Sequence, residues 1–135
     1  MNSDSRTFLA PLGRLLVVVL FLLSGVGKVA NPAGTIAFIS TTGAPLPALG
    51  LAIAIAVELV AAPLFLLGYK TRTAAAILAL YCVATAMMFH RNFADQDQMI
   101  HFMKDIALAG GFLQIVALGA GSISLDARHS RSKAG

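Results

Sequence analysis

The chain has 135 residues, of which 58% are hydrophobic and 12% charged, with a mean hydropathy of +0.82. A soluble domain of this length has too little interior for so much apolar surface, and it ordinarily carries about 25% charge. The net charge of +4 does not point to nucleic acid, because the basic residues are scattered among apolar blocks and act as topology signals. The lipid bilayer is the partner that this composition implies.

The first predicted element is a helix over residues 8–30, through LLVVVLFLL, long enough for the roughly 20 residues needed to cross a core about 30 Å thick. A cleaved signal peptide competes with it, since Arg6 precedes the run and small residues follow; the run is long for that role, and a retained span is expected. Asn31-Pro32 ends this helix and opens a short interfacial one over 33–42, because proline suits a first helical turn. Gly43, Pro45 and Pro47 stop that segment. Further spans are expected over 46–67, 74–90 and 99–119, with a tight turn at 68–72 and a polar loop at 91–98. The predicted fold is therefore all-α: a bundle of four transmembrane helices with a short interfacial helix after the first span. One membrane domain covers 1–126, and 127–135 is a basic tail with the composition of a disordered segment.

Basic residues in short loops orient a membrane protein. Arg6, Arg14, Lys70, Arg72, Arg128, Arg131 and Lys133 fall on one side, and Lys28, Arg91 and Lys104 on the other. The larger group places both termini in the cytoplasm, and Arg14 is expected to snorkel to lipid phosphates from that boundary. Small residues mark packing faces: Ala54, Glu58, Ala61 and Ala62 on the second span, and Ala107, Gly110, Gly111 and Gln114 on the fourth. Cys82, the single cysteine, allows no internal disulfide and reads as a small hydrophobe.

Ionisable residues inside spans cost at least about 2.5–3.5 kcal/mol each on insertion scales, so each needs a reason. Glu58 lies near mid-depth and must be protonated or paired with a base from another helix, with Lys28 or Lys104 in reach; it is either an interhelical staple or a proton or ligand site. Lys28 shares a face with Ser24, and His101 with Asp105, one turn apart; Lys104 projects about 100° away. His90 closes the third span at the same outer level. Lys28, Glu58, His90, His101, Lys104 and Asp105 thus form a candidate ligand-binding cluster in the outer half of the bundle. No ligand spacing supports a metal or a bis-histidine haem, and no motif for a flavin or iron–sulfur cluster is present.

The stretch LGRLLVVVLFLLSGVGKVANPAGTIAFISTTGAPLP resembles the opening of the DoxX family of small bacterial inner-membrane proteins. Glu58 in the second span, the GYKTR turn, FHRNFADQDQMIHFMKDIALAGGFL and the closing GAGSISLD also match the family pattern, covering residues 12–126. Asp105 departs from it, standing where asparagine is expected. The resemblance implies the four-helix fold and an inner-membrane location. Relatives include small subunits of thiosulfate:quinone oxidoreductases, so it also implies a redox partner protein and a quinone as the small molecule. The expected function is accordingly a subunit or accessory of a quinone-linked redox system, in which Lys28 or Lys104 bonds a carbonyl oxygen and Glu58 or His101 moves protons. A membrane scaffold or lipid-binding protein is the alternative, and a small exporter a distant third. A homo-oligomer is compatible with either of the first two.

Overall fold

A computed structural model describes residues 2–135, and every described element is helical. Four helices are long and apolar enough to cross a membrane: α1 (Ser3–Ala30), α3 (Pro47–Leu67), α4 (Thr71–Phe89) and α5 (Gln96–Leu118). The short α2 (Pro32–Ser40) follows the first span, and α6 (Leu125–Ala134) closes the chain. α1 has 28 residues, about 42 Å at 1.5 Å per residue, so it exceeds a hydrocarbon core and projects beyond it.

Local chemistry sets the boundaries. The Asn2 side chain caps α1 by accepting from Ser5 N–H. Asn31 separates two helices: its N–H bonds the Gly27 carbonyl, and its side chain accepts from Gly34 N–H to start α2 at Pro32. Gly68, at φ +72°, is the left-handed residue that ends α3. Asp95 caps α5 by accepting from Asp97 and Gln98, which starts that helix three residues before the expected position 99.

α3 is not uniform. Val57–Ala61 is a π-turn, in which Ala62 N–H reaches the Val57 carbonyl five residues back. Pro63 explains it, because proline donates no hydrogen bond and its ring crowds the carbonyl four residues earlier. The turn holds Glu58 inward, and Gly25 of α1 packs against it. A Cβ on Gly25 would stand 2.8 Å from Leu59 and 3.0 Å from the Glu58 Cβ, so only glycine permits this approach.

The core is aromatic at its centre. Phe112 of α5 is 1% exposed and packs against Phe21 of α1 at 5.8 Å and Phe65 of α3 at 5.3 Å between ring centroids. Val18, Leu78 and Cys82 complete it, Cys82 as a buried hydrophobe. The expected face of α3 is buried in full: Ala54, Glu58, Ala61 and Ala62. On α5 the expectation fails. Ala107, Gly110, Gly111 and Gln114 are exposed, and Ala109 and Phe112 point inward instead. The Phe112 ring fills the centre, so α5 packs on α4 while the backbones of α1 and α5 hardly approach.

Two further expectations are corrected at the end that carries both termini. The tail is helical rather than disordered. Ser124 caps α6, and Asp126 accepts from Lys70 N–H at 2.7 Å, Thr71 N–H at 2.8 Å and the Thr71 hydroxyl at 2.6 Å. Arg14 does not snorkel: it is 3% exposed, donates to the Ile123 carbonyl and lies against Gly68, where a Cβ would displace it. The 119–124 connection brings the Ile123 carbonyl to the guanidinium as an acceptor inside the protein, while Nε and Nη1 stay buried without a partner among the described residues.

Candidate functional site

At the end opposite the termini the bundle opens into a cavity of about 990 Å³, bounded by α1, α2, α3, α4 and α5. Most of its wall is apolar, with Phe38, Ile39, Ile53 and Met88 among the lining side chains. Phe38 of α2 stacks on Phe89 of α4 at 5.3 Å and 10°, which fixes the short helix against the bundle. Two polar groups interrupt the apolar wall.

The first surrounds Glu58, which is 3% exposed. Lys28 Nζ lies 3.0 Å from both carboxylate oxygens and 2.6 Å from the Ser24 hydroxyl. Tyr81 donates its hydroxyl to Oε1 at 2.6 Å, and Ser24 donates to the same oxygen at 3.2 Å. The three protons of the ammonium are matched by three acceptor contacts, and the carboxylate is surrounded by donors. Lys28 is therefore the partner of Glu58, as one of the two sequence alternatives has it.

The second group stands at the mouth. His90 and His101 stack with centroids 5.0 Å apart and planes at 22°. His90 Nε2 is 4.0 Å from Asp105 Oδ2, which also accepts from the Thr85 hydroxyl at 3.3 Å. Gln98 Oε1 lies 3.2 Å from His90 Nδ1. His101 is exposed, and its two ring nitrogens make no hydrogen bond among the described residues, whereas both nitrogens of His90 face partners. Among the described residues, no group of three His, Cys, Asp or Glu side chains is arranged to hold a metal.

Of the six residues singled out from sequence, five line this one cavity: Lys28, Glu58, His90, His101 and Asp105. Lys104 does not. It is exposed, and it lines only a second cavity, between α1 and α5, because it projects about 100° around α5 from Asp105. Tyr81 and Thr85 were not legible as site residues. They are four apart on α4, so they share a face, and of the two tyrosines Tyr81 alone lies inside a span, where a phenol needs a partner.

Four spanning helices around a partly polar cavity, with a buried acid–base pair at its base, define a polytopic membrane protein. The DoxX family model matches residues 9–91, and the chain belongs to the DoxX family. It is 36% identical over 129 residues to Inner membrane protein YphA of Escherichia coli (strain K12), covering 92% of each chain. It is 35% identical to Inner membrane protein YqjF of the same organism, covering 84% of this chain and 85% of the relative. No solved structure matches the chain significantly. It is an integral inner-membrane protein.

Proposed function

We propose that this protein is a membrane subunit or accessory of a quinone-linked redox system, and that the cavity holds the quinone head group. The observation that carries this reading is the pairing of a largely apolar wall around about 990 Å³ with an imidazole at its mouth, His101, that retains free bonding capacity. Apolar pockets with a few convergent polar groups suit a lipid-soluble molecule with a small polar head. Charge bias puts the termini in the cytoplasm and the cavity in the outer half of the bilayer.

The residue roles differ from those expected of the sequence. Lys28 is committed to Glu58 and Ser24, so it braces the base of the pocket. His101 is the group free to bond a carbonyl oxygen, with His90 stacked on it and Asp105 behind. Reduction of a quinone to a quinol takes two electrons and two protons. The electrons would come from a partner protein, and the imidazoles are placed to pass the protons.

The saturated Lys28–Glu58–Tyr81–Ser24 set favours a second reading, a scaffold whose polar core fixes helix register. One experiment separates the two. Purified protein in lipid nanodiscs is titrated with decylubiquinone, and His101→Phe is compared with the parent. Weakening of about tenfold, near 1.4 kcal/mol, with an unchanged Tm supports the pocket. Identical binding by both, or saturable binding by neither, leaves the scaffold.

A further inference from the structure

The cleft between α1 and α5 contains a second cavity of about 820 Å³. Gly13 and Val17 line it from α1, Ala107 and Gly111 from α5, and the core residue Phe112 forms its floor. A Cβ on Gly13 or Gly111 would meet nothing within 4 Å, so these small residues are not serving close helix packing. The cleft extends from Ile115 up to His101, about 21 Å along α5 at 1.5 Å per residue. Leu20, His101, Asp105 and Leu108 line both cavities, so the two adjoin along these side chains.

Polar groups stand only near the ends of this cleft. At the terminus-bearing end Arg14 lines it; its Nη2 donates to the Ile123 carbonyl, while its buried Nε and Nη1 have no partner among the described residues. At the other end are His101, Asp105 and Lys104. Between them the lining is aliphatic and aromatic. The long apolar stretch, adjoining a partly polar cavity at its His101 end, suits the tail of an amphiphile whose head lies in that cavity.

We propose that the α1/α5 cleft is the tail subsite and lateral doorway for the ligand of the far cavity. A lipid-soluble molecule passes sideways from the bilayer between Leu20 and Leu108, seats its head beside His101, and leaves its alkyl or isoprenoid tail in the cleft. This rests on the reading that the far cavity holds such a head group. It accounts for the exposed small face of α5 and for the separation of the α1 and α5 backbones, which the Phe112 ring maintains.

The test uses a decylubiquinone analogue carrying a diazirine at the end of its tail, with the full chain in phosphatidylcholine nanodiscs. Label competed by excess decylubiquinone is expected on 13–17 and 107–111. Gly111→Phe places a ring in open space, so Tm should hold, while the decyl analogue weakens about tenfold through displacement of about two methylenes. The tail-free 2,3-dimethoxy-5-methyl-1,4-benzoquinone should bind this variant as it binds the parent. Competed label confined to the far cavity overturns the cleft and leaves the head-group pocket standing. Equal weakening of both quinones also overturns the cleft, because the effect is then not on the tail. No competed label anywhere overturns the cleft and the pocket together.

Discussion

Breaking the Lys28–Glu58 pair should cost more from the lysine side than from the acid side. Both carboxylate oxygens lie 3.0 Å from Nζ, and the exposed side-chain fractions are 22% for Lys28 and 4% for Glu58. Removing one partner of a fully buried pair costs about 3–5 kcal/mol. Water near the partly exposed lysine reduces this, and we expect about 2–3 kcal/mol for Lys28→Met. The carboxylate left behind keeps only the neutral donors Tyr81 and Ser24. Glu58→Gln should cost about 1 kcal/mol, since the amide oxygen still accepts from Tyr81 and the lysine can straighten toward the interface. Glu58→Ala should cost more than Glu58→Gln, because it leaves Lys28, Ser24 and Tyr81 without their shared acceptor. The double variant Lys28→Met/Glu58→Gln should show a coupling of about 1–2 kcal/mol. Reversible unfolding in mixed micelles, followed by circular dichroism across the four-member cycle, measures these terms. A coupling below about 0.5 kcal/mol, the usual limit for independent sites, would refute the reasoning.

Other consequences can be checked separately. Gly25→Val should destabilise by about 1–3 kcal/mol through overpacking against Leu59, whereas Gly111→Ala should be near neutral, both read as Tm in detergent. Asp126→Asn should free α6, exposing the bonds after Arg128 and Arg131 to trypsin, because an amide cannot accept at both of its polar atoms. Partial burial pushes the Asp126 carboxyl up, but hydrogen bonds from Thr71 and Lys70 and the Arg14 charge outweigh it and hold it below the ordinary range. Its stabilising contribution is therefore complete above about pH 4 and falls as pH drops through the lowered value, so protease protection of the tail should follow that course. A reporter active only in the cytoplasm should work when fused at Gly135 or inserted at Tyr69 and be silent at Gln96; the reverse pattern would invert the orientation.

The four spans were legible because apolar blocks, Asn31-Pro32 and Gly68 act locally: each boundary is set by residues within one turn of it. Lys28 and Glu58 were legible for a different reason. Charge in a span demands a partner whatever the fold, and depth along each helix restricts the choice. What escaped depends on contacts distant in sequence. Asp126 meets Thr71 across 55 positions and Arg14 meets Ile123 across 109, so composition alone made the segment after Asp126 a loose tail and Arg14 a snorkelling cation. The small face of α5 was misassigned because periodicity shows that a face exists without showing what lies opposite it. Phe112 decides that: its ring occupies the centre that a close α1–α5 contact would require, and the glycines on the other face are left lining a cleft. The same holds for Tyr81, whose spacing from Thr85 was visible, but whose role follows only from the Pro63-linked π-turn that aims Glu58 toward it. Local signals therefore determine where this chain crosses the membrane, and a few side chains of unusual size or charge determine which faces meet.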